Sequence, residues 1–231
     1  MTFHLVTIFP EFFSSILEHG VVGRAIKSGA IQVRIHNLRD WTQDRHKTVD
    51  DRPFGGGEGM LMKPEPVFEA VAAVLGERRA AARVVLMSAQ GKLFDQAAAR
   101  RLSECEEVLL ICGRYEGVDE RVAEHLADEE ISVGDYVLSG GELAAALVMD
   151  AVGRLVPGVV GNADSTVWES FRRDEETGRL LLDCPQFTRP AEYRGWKVPE
   201  VLLTGNHEQI RRWRLEAARE KTARNRPDLV K

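Results

Sequence analysis

Cysteine is scarce in this sequence, with only three in 231 residues. Cys105, Cys112 and Cys184 form no C-x-x-C pair and leave an odd thiol, so their spacing argues against a disulfide framework and against a zinc site. We therefore expect three free thiols that are buried or half-buried.

Long apolar runs are also missing. The longest, residues 143–149, is far too short to cross a bilayer. Residues 1–10 lack the basic segment that opens a signal peptide, and they start directly with a strand pattern. We expect a cytoplasmic protein with no membrane partner.

Several familiar motifs are absent as well. The sequence has no G-x-x-x-x-G-K-[ST], no G-x-G-x-x-G after a first strand and no G-x-S-x-G. These absences argue against a P-loop, a standard dinucleotide fold and a serine nucleophile. The six histidines are scattered, and none pairs with another at metal-ligand spacing. We assign no metal site from spacing.

The charge is uneven along the chain. The net charge of −5 argues against a simple basic nucleic-acid binder, and we expect no DNA partner. Residues 205–231, however, hold eight Lys or Arg against four Asp or Glu. This tail is either a patch that positions a polyanion or a solvated helix stabilised by i,i+4 pairs.

Strand and helix patterns alternate through the first two thirds of the chain. Strands are predicted at residues 3–9, 31–36, 84–87 and 108–112, with short extended pieces at 131–133 and 136–138. Helices are predicted at residues 11–28, 64–77, 95–103, 118–126 and 142–152. This alternation predicts an α/β fold with a parallel sheet.

The pattern changes after Pro157. We predict a cofactor-binding domain over residues 1–160, a polar linker over 161–176 and a small, mainly helical domain over 177–231. The last domain includes a helix from residue 207 to about 221, whereas residues 180–182 and 185–199 are expected to be irregular.

Two glycine-rich stretches, residues 113–117 and 132–142, each follow a predicted strand. Glycine adopts positive φ and has no Cβ, so a backbone or a flat ligand can approach closely. We predict that these two loops form one cofactor pocket. A third glycine loop, residues 53–60, is either a backbone nest for a phosphate or a flexible surface loop.

Six segments together resemble one family. They are FHLVTIFP at 3–10, DDRPFGGG at 50–57, CGRYEGVDERV at 112–122, VGDYVLSGGE at 133–142, LDCPQFTRP at 182–190 and GNHEQIRRWR at 205–214. In this ordered set over nearly the whole chain, the sequence resembles the bacterial tRNA (guanine-N1)-methyltransferases. That resemblance implies a SPOUT methyltransferase fold with a deep C-terminal trefoil knot, a homodimer, S-adenosyl-L-methionine as cofactor and tRNA as partner. It also implies methylation of the guanosine immediately 3′ of the anticodon.

The resemblance carries over to individual residues. The implied cofactor-binding residues are Met87, Ser88, Gly113, Tyr115, Glu116, Ser132, Val133, Gly134, Asp135, Tyr136, Val137, Leu138, Gly140 and Gly141. The implied tRNA contacts are Asp50, Arg52, Gly55, Gly56 and Gly57 on the anticodon stem or the target base, and Arg211, Arg212 and Arg214 on backbone phosphates. Glu116 is also a candidate Mg²⁺ ligand, although a single carboxylate does not make a metal site.

The implied chemistry needs a base and a cation, because N1 of guanine carries a proton and negative charge develops on O6. The resemblance assigns the cation to Arg154. The family's base is an aspartate in the sequence Asp-Ser-Phe, whereas this chain has Glu169 before Ser170 and Phe171. We expect Glu169 to be the base, with Asp174 and Asp164 as alternatives. Two rival functions stay open: a SPOUT-class ribose 2′-O-methyltransferase and a non-catalytic RNA-binding module.

Overall fold

The computed structural model describes residues 1–161 and 168–230 and divides the chain into two compact units, residues 1–161 and 162–231. The predicted boundaries, with a linker at 161–176, stay a prediction. Within the described residues, no helix is long and apolar enough to cross a membrane.

The first unit contains seven strands and six α-helices in its described residues. The strands are β1 (Thr2–Thr7), β2 (Gln32–Asn37), β3 (Asp50–Asp51), β4 (Leu61–Met62), β5 (Ala82–Leu93), β6 (Glu107–Cys112) and β7 (Glu129–Ser132). The helices are α1 (Ser14–Glu18), α2 (Gly20–Lys27), α3 (Pro64–Leu75), α4 (Gln96–Ser103), α5 (Glu120–His125) and α6 (Gly141–Gly153). The order largely follows the predicted alternation.

Five of these strands form one parallel sheet in the order β2-β1-β6-β5-β7, as the α/β prediction requires. Apolar side chains of α2, α4 and α6 cover one face, and those of α3 and α5 cover the other. Strands buried on both faces need apolar residues at nearly every position, which explains the continuous run from Val108 to Cys112. Helix α4 begins at its predicted place because the Asp95 carboxylate accepts a hydrogen bond from the Ala98 amide.

Two predicted elements differ from the structure. Strand β5 runs to Leu93 rather than ending at Met87, and its register against β7 shifts between Met87 and Lys92. Only glycine at position 91 lets β5 pass this close to β7, because a Cβ on Gly91 would lie 2.5 Å from the carbonyl carbon of Glu130. The predicted extended piece at 136–138 is not a strand, since this segment bends without a ladder partner.

In its described residues, the second unit has one long helix, α7 (His207–Asn225), and two small ribbons. The ribbons pair β8 (Arg172–Arg173) with β9 (Leu180–Leu181) and β10 (Glu192–Tyr193) with β11 (Trp196–Lys197). The expectation of irregular structure at 180–182 and 185–199 was therefore wrong in part. A small core joins Leu181 and Cys184 to Ala218 of α7, and the Thr222 hydroxyl accepts a hydrogen bond from the Leu182 amide.

Candidate active site

A cavity of about 370 Å³ lies at the carboxyl edge of the sheet in the first unit. Three segments line it: residues 86–90 within β5, residues 113–118 after β6, and residues 130–141 at the end of β7 and beyond, except position 135. Carboxyl ends of parallel strands are where open α/β sheets bind ligands, and the volume falls in the range of small-molecule sites.

The structure brings the predicted cofactor residues together around this cavity. Its lining includes Met87, Ser88, Gly113, Tyr115, Glu116, Ser132, Val133, Gly134, Tyr136, Val137, Leu138, Gly140 and Gly141. Asp135 is the one member of the predicted set that does not line it. Val137 is 89% exposed, and its apolar side chain therefore faces open space beside Leu138 and Ala144.

Glycine lets the two predicted loops touch. The Gly141 amide donates to the Gly113 carbonyl oxygen at 2.8 Å, and Arg114 pairs with Gly140 in an isolated antiparallel bridge. A Cβ on Gly141 would lie 2.8 Å from the Cys112 Cα, which is closer than Cβ atoms come to other heavy atoms in proteins. The close approach of the loops therefore excludes a side chain at position 141.

A buried carboxylate ties these loops to the sheet. Glu142, whose side chain is 0% exposed, accepts a hydrogen bond from the Thr7 hydroxyl at 2.7 Å. Its other oxygen accepts from Arg114 Nε at 2.8 Å. Arg114 also donates to the Ser139 carbonyl oxygen at 3.0 Å, and its guanidinium lies 4.7 Å from the centre of the Phe9 ring. One ion pair thus holds both glycine loops and the end of β1.

The sequence reasoning missed this trio of Thr7, Arg114 and Glu142. A signal was available, because Glu142 lies in the first turn of a mainly apolar helix and a buried acid requires a partner. The pattern could not identify the partner, since Arg114 and Thr7 are distant in sequence and only the sheet order brings them close.

The third glycine loop lies beside the cavity. The Glu116 amide donates to the Met60 carbonyl oxygen at 2.9 Å, and a Cβ on Gly59 would collide with the Glu116 carboxylate. The short ribbon of β3 and β4, in which Asp50 pairs with Met62, carries this loop. Gly55, Gly56 and Gly57 all have positive φ, and Arg52 is exposed. The predicted substrate loop is therefore next to the predicted cofactor loop.

Among residues 1–161 and 168–230, no group of three or more His, Cys, Asp or Glu side chains is arranged to hold a metal ion. Mg²⁺ with Glu116 as a ligand stays a prediction.

The two predicted catalytic residues lie in different units. Arg154 is half-buried at the carboxyl end of α6, where its amide donates to the Asp150 carbonyl oxygen at 3.1 Å. Glu169 is half-buried in the second unit, next to Ser170, whose hydroxyl accepts from the Asp183 amide. Asp164, one alternative base, lies outside the described residues.

Asp174, the other alternative base, has a structural role in the second unit. Its buried carboxylate accepts two hydrogen bonds from Arg219, at 2.8 and 3.0 Å. The hydrogen bonds from Arg219 are the main reason that the pKa of Asp174 falls to about 2. A carboxylate held in this way is a poor proton acceptor near neutral pH, which argues against Asp174 as the base.

The predicted phosphate-binding arginines are exposed on α7. Arg212 donates to Glu216 one turn later at 3.0 Å, which is the i,i+4 pairing expected of a solvated helix. Arg211 and Arg214 are exposed on the same helix, and Arg214 lines a separate cavity in this unit.

Comparison with known proteins gives a consistent result. A family model described as tRNA (Guanine-1)-methyltransferase TrmD matches residues 1–231. Three similar proteins are each named tRNA (guanine-N(1)-)-methyltransferase. The protein of Koribacter versatilis is 54% identical, covering 100% of this chain and 92% of its own length. That of Persephonella marina is 51% identical, covering 100% and 88%, and that of Geobacter metallireducens is 50% identical, covering 100% and 91%.

Proposed function

The chain belongs to the tRNA (guanine-1)-methyltransferase family, and on this basis we propose that it methylates N1 of the guanosine immediately 3′ of the anticodon in tRNA. We propose S-adenosyl-L-methionine as the methyl donor. The observation that carries the proposal is the convergence of residues 86–90, 113–118 and 130–141 on one cavity of about 370 Å³.

The cavity suits the proposed donor chemically. A flat adenine needs an apolar slot with backbone hydrogen-bonding groups, and the lining offers Leu86, Ile131 and Leu138 beside the backbone of residues 113–118. Tight packing of Gly140 and Gly141 against the neighbouring loop keeps that backbone within reach of a ligand. When bound there, the cofactor would supply an electrophilic methyl group.

The chain's own residues would then handle the guanine. We propose that Glu169 takes the proton from N1 while the methyl group bonds to that nitrogen and leaves the donor sulfur. Arg154 would stabilise the negative charge that develops on O6. The ribbon and loop around Asp50, Arg52 and residues 55–57 would contact the target base, because this loop lies beside Glu116 at the cavity.

Membership of the same family also leads us to propose a knotted fold and a dimeric assembly. The close passage of residues 140–141 past residues 112–113 supports the proposed trefoil knot. A homodimer is supported by the apolar side chains of Leu143 and Leu147, which are exposed one turn apart on α6, and by exposed Phe12. The arginines of α7 would hold tRNA phosphates in the second unit.

The test is methyl transfer by the full chain to tRNA transcripts that carry guanine or adenine after the anticodon. Digestion to nucleosides should yield 1-methylguanosine from the first transcript and no methylated product from the second. Ribose 2′-O-methylguanosine would instead identify the rival methyltransferase. No transfer, together with no affinity for S-adenosylmethionine, would favour a non-catalytic RNA-binding module.

A further inference from the structure

A second cavity, of about 350 Å³, lies entirely within the second unit. Its walls combine the apolar side chains of Val198, Leu202 and Ile210 with the rings of Phe187 and Trp213. The two ring centres are 6.3 Å apart and tilted by 53°. Phe187 remains 48% exposed, so one face of an aromatic ring is presented to solvent.

The β10–β11 ribbon extends this aromatic lining. Its turn, Arg194-Gly195, has positive φ at both residues, the geometry that closes a two-residue hairpin. Tyr193 pairs with Trp196, and the Val198 amide donates to the Ala191 carbonyl oxygen at 2.9 Å. Because side chains alternate along a strand, Tyr193 and Trp196 share the ribbon face of Ala191 and Val198, which line the cavity.

The resulting surface is both aromatic and basic. We call it the aromatic face and define it by Phe187, Tyr193, Trp196 and Trp213. Tyr193 and Trp196 are 55% and 70% exposed, and exposed apolar surface that is grouped in this way marks interaction sites. The exposed rings therefore need an explanation beyond packing within this unit.

Charge points to the class of partner. Arg189 and Arg214 are the charged residues among those that line the cavity, and the Arg194 guanidinium lies 5.3 Å from the centre of the Tyr193 ring. The ribbon's acid, Glu192, is on the opposite face and within 3.8 Å of Lys197. Rings flanked by guanidinium groups suit the bases and phosphates of a single-stranded nucleic acid.

From this geometry we propose that the aromatic face stacks unpaired bases of the tRNA substrate, while Arg189 and Arg214 lie against the adjoining phosphates. This inference rests on the proposed function, because tRNA is the nucleic acid that the chain would meet. It adds a site for unpaired nucleotides that is separate from the methyl-transfer cavity of the first unit.

The test uses the full chain and a fluorescein-labelled eight-nucleotide oligouridylate, followed by fluorescence anisotropy without any methyl donor. Phe187→Leu and Trp196→Leu should each weaken binding about tenfold, because leucine keeps apolar volume but cannot stack. Phe187→Tyr should restore wild-type affinity. The matched control is the double variant Glu192→Gln/Lys197→Gln, which alters the opposite ribbon face without changing the net charge and should bind as wild type.

Wild-type affinity in both leucine variants would overturn the inference, as would equal loss in the control. A change in sedimentation behaviour without a change in RNA affinity would make this face a protein contact and would overturn it too. Unchanged oligouridylate binding in both leucine variants, together with normal methyl transfer by the wild-type chain, would refute this site alone. Normal binding of the oligouridylate without any methyl transfer to tRNA would refute the proposed function alone.

Discussion

At the residue scale, the most constrained group of the candidate site is the Glu142 carboxylate, which is buried away from water. Both carboxylate oxygens of Glu142 accept a hydrogen bond, one from the Thr7 hydroxyl and one from Arg114. A buried ion without partners is costly, so each of these hydrogen bonds constrains the position of the others. Since Arg114 belongs to one glycine loop and Glu142 follows the other, the pair sets the width of the proposed cofactor cavity.

Thr7→Val should therefore destabilise the protein by about 1–3 kcal/mol, because the Glu142 carboxylate loses a buried donor. It should also weaken S-adenosylmethionine binding. Thr48→Val is the matched control, since the Thr48 hydroxyl donates to the Asp44 carboxylate at an exposed site. There we expect a change within about 0.5 kcal/mol. Chemical denaturation measures both, and equal effects would contradict the role given to Glu142.

Substitutions of the proposed base and of the proposed cation should reduce turnover, a quantity that is measured separately from cofactor affinity. Glu169→Ala should reduce turnover by about 10²–10⁴-fold while the affinity for S-adenosylmethionine is kept, since the variant loses only proton transfer. Arg154→Ala should lose turnover at every pH, because alanine cannot stabilise the negative charge that develops on O6. Single-turnover assays and calorimetry measure the two quantities. Near-normal turnover in Glu169→Ala would move the base to another residue, with Asp164 the next to test.

At the element scale, glycine positions decide which segments can cross. The sequence predicted the loops 113–117 and 132–142 because glycine clusters followed apolar strands. It did not predict the length of β5, since the continuation through Gly91 depends on contact with Glu130, which lies 39 residues later in the chain. It also assigned an extended piece to 136–138 from apolar residues that line the cavity instead of pairing in a ladder. Local pattern cannot distinguish a buried strand from a loop that lines a pocket.

Gly141→Ala should disrupt the crossing of the two glycine loops. The added Cβ would lie 2.8 Å from the Cys112 Cα and 2.9 Å from the Gly113 nitrogen, so backbone must move. We expect loss of stability and at least tenfold weaker S-adenosylmethionine binding. Gly153→Ala, at the other end of α6, is the control because its nearest neighbour would be Ile31 Cδ1 at 3.6 Å. That variant should be neutral or up to about 1 kcal/mol more stable. Similar behaviour of the two would contradict the packing argument.

The ion pair of Asp174 and Arg219 predicts a specific acid sensitivity. Because folding lowers the pKa of Asp174 from 3.8 to about 2, its stabilising effect is complete above about pH 4 and is lost as pH falls through about 2. Asp174→Asn should be less stable than wild type at neutral pH, and the difference should shrink between pH 4 and 2. Glu176→Gln, which alters the exposed second partner of Arg219, should change stability little. Thermal unfolding monitored at each pH gives the comparison, and a constant difference for Asp174→Asn would refute the assignment.

At the scale of the whole molecule, ordered motifs carried more information than bulk properties. The net charge of −5 argued against a simple basic nucleic-acid binder, whereas six segments from residue 3 to residue 214 pointed to one family that the comparisons then showed. The parallel sheet was also predictable, because its strands are buried on both faces. The Arg114–Glu142 pair and the aromatic face were not, because each depends on residues that only the folded chain brings together.

The central claim is that the cavity between residues 113–118 and 130–141 holds the methyl donor. A crystal structure of the full chain grown with S-adenosylhomocysteine, the demethylated donor, tests it most directly. The account predicts the adenine against Leu86, Ile131 and Leu138, within the loops joined by Arg114 and Glu142. Ligand density at any other place, with this cavity lacking it, would contradict the account.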